Sequence, residues 1–295
     1  MLHEDDQKRR QSSRRESQGG SQIQTMMERV GPLAGEWIFV VCVMAAGLFV
    51  NKAFAPHTKL IVSPTDEELS YPMMPQTVPE PLLIVVSFAL PLAAVCAVCE
   101  MVFKDRRDLH VSALMLSQAC AFGVLITAVA KKQAGRPRPC FFDMCQWSNT
   151  TASGVPGCTA SAAWEWEARQ SFPSGHASFG FSGLGYLTLF LLEKAWALSV
   201  ARRLPQSLPF SAAQLAALMP VCLAMVIAIT RVVDFWHNYD DILAGSVLGA
   251  ACATQAFWQR GRYTAAWFEE RSRSGGEANN LPLAQQADDA AHEAV

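Results

Sequence analysis

Long uncharged runs alternate with short charged ones along this chain. A membrane-spanning helix needs roughly 20 mainly apolar residues at about 1.5 Å rise each, and six segments approach or reach that length: 33–54, 81–103, 110–130, 177–193, 212–230 and 241–258. Glu36 lies near one end of the first and Asn51 and Lys52 near the other, while its Trp37 suits an interface belt. Pro91 falls inside the second segment. It predicts a kink rather than a break, because neighbouring helices in a bundle satisfy a freed carbonyl. Period-two alternation is absent from all six, which argues against a membrane β-barrel. The pattern predicts an all-α, six-span transmembrane bundle over 33–260. Polar ends flank it, a basic tail over 1–32 and a mixed-charge tail over 261–295, both expected to be disordered.

Composition agrees with this pattern, since 51% of the 295 residues are hydrophobic and only 17% charged. The net charge of −2 hides opposing local excesses, and no nucleic-acid partner is expected. Basic residues set the orientation. Lys8, Arg9, Arg10, Arg14 and Arg15 precede the first span, Lys104, Arg106 and Arg107 separate the second and third, Arg202 and Arg203 separate the fourth and fifth, and Arg260, Arg262, Arg271 and Arg273 follow the sixth. All four groups fall on one side, which predicts that both termini are cytoplasmic. The first apolar run, beginning near Leu33, reads as a retained anchor rather than a cleaved signal. Two Arg-Arg-x-Ser strings, ending at Ser12 and Ser17, read as part of a topogenic tail.

The loop over 131–176 breaks the charge rule, because Lys131, Lys132, Arg136, Arg138 and Arg169 all sit on the predicted far side. Cations kept against the topological bias require a reason. The same loop holds the sequon Asn149-Thr150-Thr151, which has meaning only on a lumenal or extracellular face, so Asn149 is a glycosylation candidate. It also holds Cys140, Cys145 and Cys158, which would allow a disulfide and leave one thiol over. The other six cysteines, Cys42, Cys96, Cys99, Cys120, Cys222 and Cys252, lie in hydrophobic stretches and read as structural thiols.

Three polar clusters meet the far-side surface. Lys131 to Pro139 combines fixed cations with prolines that keep the backbone extended. Phe172-Pro173-Ser174-Gly175-His176 precedes the fourth span, with Ser174 placed to cap a helix and Gly175 permitting close approach of an anion to its free amides. Thr230-Arg231 closes the fifth span, and His237 and Asp241 follow at a spacing of four, on one face of a helix or its first turn. Asp241 could accept a hydrogen bond from one imidazole nitrogen and leave the other as a nucleophile. Each cluster alone reads as interfacial charge or a bare capping signal. Together they supply two histidines, an orienting carboxylate, three cations and a helix amino terminus, the parts of a phosphoryl-transfer site without a metal.

These residues resemble the type 2 phosphatidic acid phosphatase family, the lipid phosphate phosphatases, with its signature K-x6-R-P, P-S-G-H and S-R-x5-H-x3-D. Lys131 to Arg138-Pro139, Pro173 to His176, and Arg231, His237 and Asp241 match, while Thr230 stands where the family has serine. Ser70-Tyr71-Pro72 and Thr77-Val78-Pro79 are similar to the eukaryotic branch, and the resemblance covers roughly 35–260. It implies a core shared with vanadium haloperoxidases, which are soluble. It also implies catalysis in which His237 attacks phosphorus, Asp241 orients His237, and His176 protonates the departing alkoxide and then activates water. Lys131, Arg138, Arg231, Ser174 and the Gly175 amide would bind the phosphoryl oxygens. No cofactor and no metal are expected, because the three cations would repel a divalent ion from a site built of His176, His237 and Asp241.

The substrates so implied are phosphatidate, lysophosphatidate, sphingoid-base phosphate, ceramide phosphate or diacylglycerol pyrophosphate, met at the lumenal or extracellular face of a plasma membrane or endomembrane. The alternatives are a lipid phosphotransferase using the same intermediate and a silent scaffold. Gly245 and Gly249 could pack helices within the monomer or support a homo-oligomer.

Overall fold

The computed structural model describes residues 33–58, 65–151, 155–201 and 209–279, with side chains as far as residue 265. The basic tail with its Ser12 and Ser17 strings, Arg202, Arg203 and residues 280–295 lie outside the described residues. Besides a 3₁₀ turn at Glu67–Leu69, eight helices are described: α1 (Leu33–Ala53), α2 (Glu80–Phe103), α3 (Arg106–Ala134), the short α4 (Phe141–Met144) and α5 (Ala162–Ala168), α6 (Gly175–Val200), α7 (Phe210–Val233) and α8 (Tyr239–Asn279). The one described sheet is an antiparallel pair, β1 (Trp147–Ser148) with β2 (Gly157–Cys158), Trp147 facing Cys158.

Four helices, α1, α2, α3 and α7, are long and apolar enough to cross a membrane. Expectation and structure part at α6 and α8. Both are long enough, but glycine, serine, glutamine and charged residues dilute their apolar runs. Their placement accounts for this composition. α6 packs against α3, α7 and α8, so its small residues meet other helices rather than the surroundings. A Cβ at Gly245 would stand 2.5 Å from the Ser174 carbonyl oxygen, and one at Gly249 would stand 2.3 Å from that of Ser178. These two glycines therefore serve the contact of α8 with α6 inside this chain.

Large apolar side chains point outward instead. Ile38 and Phe49 on α1, Met101 on α2, and Leu215, Met219 and Val233 on α7 are each more than half exposed. Apolar area of that extent facing outward is what a lipid solvent favours, and the chain is an integral membrane protein. The interior is built from α2, α3, α6 and α8, with Val95, Leu114, Met115, Tyr186, Phe190 and Ala256 buried together. α2 continues through Pro91, as expected, with wide π-type turns at Val85–Ala89 and Val98–Phe103.

Helix ends place the functional residues. Gly135, at φ 55°, stops α3 and bonds its amide back to the Lys131 carbonyl, which releases the chain into 136–139. Ser174 caps α6, its Oγ accepting from the Ala177 amide at 3.4 Å. Between these points Cys145 and Cys158 form a disulfide, while Cys140 is a buried free thiol. Asn149 is exposed in the excursion that this disulfide closes.

Candidate active site

The three polar clusters converge on one cavity of about 380 Å³, lined by Lys131, Arg138, Gly175, His176, Arg231 and His237. Ser174 and Asp241 are fully buried behind this wall, and the Ser174 amide donates to the Asp241 carbonyl at 3.0 Å, which ties the start of α6 to the start of α8. Asn149 lies apart from the cavity.

His237 sits one turn before Asp241, its Nδ1 3.7 Å from Asp241 Oδ2. The carboxylate itself is occupied: Oδ2 accepts from Ser171 Oγ at 2.6 Å and from the Asn238 amide at 2.8 Å, and Oδ1 accepts from Arg136 Nη1 at 2.9 Å. Those donors fix Asp241 rigidly beside the ring. The tautomer follows from the other nitrogen. Arg138 Nη1 lies 3.2 Å from His237 Nε2, and a guanidinium only donates, so Nε2 is the bare nitrogen and the proton resides on Nδ1 toward Asp241. Burial first, and then Arg138, Lys131 and Arg231, push the His237 pKa well below its usual value. The ring is therefore neutral at physiological pH.

The cations are held by different means. Arg138 donates Nε to the Glu167 carbonyl at 2.9 Å and Nη1 to the Trp236 carbonyl at 3.0 Å, and its Nη2 pairs with the Glu167 carboxylate. Arg231 is 1% exposed, yet its Nε and Nη1 have no hydrogen-bond partner, with Asp234 Oδ2 3.7 Å from Nη1. Both guanidiniums stand about 5 Å from the Trp236 ring, 4.9 Å for Arg138 and 5.1 Å for Arg231. Lys131 reaches over the amino end of α6, where its Nζ would lie 3.8 Å from a Cβ added to Gly175. Guanidinium donors buried without an acceptor are costly. Three cations around one neutral imidazole form a site that favours an anion of high charge density.

His176, on the first turn of α6, is 2.9 Å from the Val78 carbonyl through Nε2. A carbonyl only accepts, so Nε2 carries a proton. Among the described residues no group of three or more His, Cys, Asp or Glu is arranged to hold a metal ion. Thr230 turns its hydroxyl to the Ile227 carbonyl at 2.7 Å, a bond that serine makes equally well.

Several contributors had no place in the site expected from sequence, Arg136 being noted only as a far-side cation. Arg136 and Trp236 occupy unspecified positions inside the first and third motifs, and Ser171 stands just before Phe172. Glu167 lies in the intervening loop, its carboxyl held below the ordinary range because Arg138 and Lys131 outweigh the opposing effect of burial. Proximity to a motif hints at Arg136, Ser171 and Trp236 without saying which neighbour turns inward, and Glu167 lacks even that hint.

Comparison with known proteins covers this same region. The family described as the PAP2 superfamily matches residues 112–265, which include all three clusters. The chain is 32% identical over 242 residues to lipid phosphate phosphatase 1 of Arabidopsis thaliana, covering 80% of this chain and 69% of that protein. It is 28% identical over 230 residues to lipid phosphate phosphatase 2 of the same plant, covering 76% of each. Against phospholipid phosphatase 2 of Rattus norvegicus it is 31% identical over 248 residues, covering 75% of this chain and 86% of that protein. No solved structure matches.

Proposed function

This chain belongs to the PAP2 superfamily, and on that premise we propose that it is a membrane lipid phosphate phosphatase working through a phosphohistidine at His237 without a metal ion. One observation carries the reading: the neutral Nε2 of His237 faces a cavity in which three cations include a buried guanidinium with two unpartnered nitrogens. A phosphate dianion supplies the missing acceptors.

Chemistry follows from the geometry. Nε2 of His237 attacks phosphorus as the bond to the leaving oxygen breaks, and the proton on Nδ1 stays beside Asp241, which stabilises the cationic ring. His176 gives a proton to the departing alkoxide. Acting then as base, it takes one from the water that releases phosphate and restores the histidine. Lys131, Arg138 and Arg231 neutralise the equatorial oxygens, while Ser174 and the Gly175 amide close the amino end of α6 over them. Crowding of three cations also opposes a divalent ion, which supports metal independence.

Lipid selectivity rests on the rest of the cavity wall. Met44 and Leu48 of α1, Leu83 and Phe88 of α2, and Val124 of α3 line the same cavity as the cations. A headgroup at the cations would thus have its acyl chains against the apolar helices. Phosphatidate and related monoesters fit that division, and the relatives' names, lipid phosphate phosphatase and phospholipid phosphatase, support a lipid phosphate as substrate. We further propose six crossings, with α6 and α8 enclosed by the more apolar helices, both termini cytoplasmic and the site on the far face.

The test is phosphate release from detergent-solubilised protein on a panel of lipid phosphates with a chelator present. Wild type is expected to turn over and His237→Ala to be inactive. A requirement for added magnesium, or activity surviving the substitution, would contradict the proposal.

A further inference from the structure

The segment between α1 and α2 is laced across the active site by bonds that the mechanism above does not use. Tyr71 donates its amide to the Pro139 carbonyl at 3.2 Å and stacks on Phe235 at 4.7 Å between ring centroids. Phe235 holds the left-handed conformation at φ 59°, unusual for an aromatic residue, and the stack helps to fix it. Trp236 Nε1 donates to the Met74 carbonyl at 2.9 Å. Asp234 then accepts twice from one residue: the Thr77 amide reaches Oδ2 at 2.8 Å and the Thr77 hydroxyl reaches Oδ1 at 2.7 Å. The next carbonyl along, that of Val78, accepts from His176 Nε2.

We propose that Thr77 and Asp234 are positioning residues that set the general acid. Asp234 is 5% exposed and fixed beside Arg231 on the far end of α7. By clamping Thr77 at both its amide and its hydroxyl it fixes the Val78 carbonyl, and that carbonyl fixes the His176 ring. Nε2 of His176 keeps its proton on the carbonyl, so the exchangeable proton is carried by Nδ1, and the carbonyl dipole stabilises the imidazolium that donates it. The second histidine is held differently: Nδ1 of His237 points toward Asp241 at 3.7 Å without a hydrogen-bond partner, and Nε2 lies 3.2 Å from Arg138 Nη1. His176 is thus held at Nε2 and works through Nδ1. The same carboxylate of Asp234 neighbours the phosphate-binding Arg231, so the clamp joins acid placement to anion placement. This inference rests on the phosphatase reading above.

The experiment exploits leaving-group chemistry. A long-chain alkyl phosphate needs its alkoxide protonated, whereas a nitrophenyl phosphate bearing an alkyl tail of matching length departs without an acid. Thr77→Val is expected to lower kcat about tenfold on the alkyl ester, a part of the roughly 10²–10⁴-fold that a general acid supplies, with KM unchanged. On the aryl ester it should stay within about twofold. Thr77→Ser restores the hydroxyl and the alkyl activity. Asp234→Asn, close to Asp in size and shape, tests the clamp if the valine variant fails to fold. It is expected to lower kcat on the alkyl ester more than on the aryl ester, and to raise KM for both through Arg231. Equal loss on the two esters, or no recovery with serine, would overturn the proposal. A wild-type protein inactive on every lipid phosphate would instead remove the phosphatase reading beneath it.

Discussion

The bundle buries charge at both of its ends, roughly 35 Å apart along α3 at about 1.5 Å per residue, and the two ends are balanced differently. At the end opposite the cavity, Arg260 of α8 pairs with Asp108 of α3 and with Glu193 of α6, Lys194 pairs with the same Asp108, and Ser112 Oγ receives Arg260 Nε at 2.7 Å. Two cations meet two carboxylates, and the network is closed. At the cavity end, Arg138 pairs with the Glu167 carboxylate and Asp234 Oδ2 stands 3.7 Å from Arg231 Nη1, yet Arg231 Nε and Nη1 have no hydrogen-bond acceptor. The lesson is that buried charge alone does not mark a catalytic site. Buried donors left without acceptors do, because a closed network resists a ligand while an open one favours it.

The largest effect is expected at His237, the proposed nucleophile. His237→Ala is expected to lower phosphate release at least about 10⁴-fold, as loss of a catalytic-triad member does. The folded fraction should be retained, read by size-exclusion profile and helical circular dichroism. At the closed end the expectation reverses. Arg260→Ala leaves Asp108 short of a partner and should cost about 3–5 kcal/mol of stability, seen as a lowered thermal transition in detergent, with kcat of the surviving protein within about twofold of wild type.

Intermediate effects test the open end. Arg138→Gln removes a donor to the transferring group and should cost about 10²–10³-fold in kcat. The same change carries a pH signature. After burial, Arg138 is the strongest influence depressing the His237 pKa; with it gone the pKa rises, the ring is protonated to higher pH, and the acid limb of kcat/KM moves upward. Ser171→Ala leaves Asp241 with two of its three described side-chain and amide donors and should cost about tenfold in kcat, as the loss of a supporting hydrogen bond does. Smallest is Thr230→Ser, which keeps the bond to the Ile227 carbonyl and should alter kcat by less than about twofold.

Which of these features could be read beforehand depended on how local they are. The helices α1, α2, α3 and α7 announce themselves because an apolar run of spanning length is a property of adjacent residues. α6 and α8 match less cleanly, since helices packed against other helices exchange apolar residues for small ones. Lys131, Arg138, His176, Arg231 and His237 were legible from motif spacing and meet in one cavity. Arg260 shows the limit of charge counting, because it looks like any basic flank yet lies 2% exposed in the closed network. Glu167 and Thr77 were out of reach for a different reason. Their roles depend on contacts across 29 and 157 positions of sequence, to Arg138 and Asp234, and no local pattern encodes which distant side chain will meet them.

The proposed mechanism requires a covalent bond between phosphorus and His237 at the open end. It is tested by rapid quench of the enzyme with radiolabelled phosphatidate into alkali, where a nitrogen–phosphorus bond survives, followed by peptide mapping. Label is expected on the peptide containing His237, lost in acid and absent from His237→Ala. Turnover with no trapped label, or label on any other residue, would contradict it.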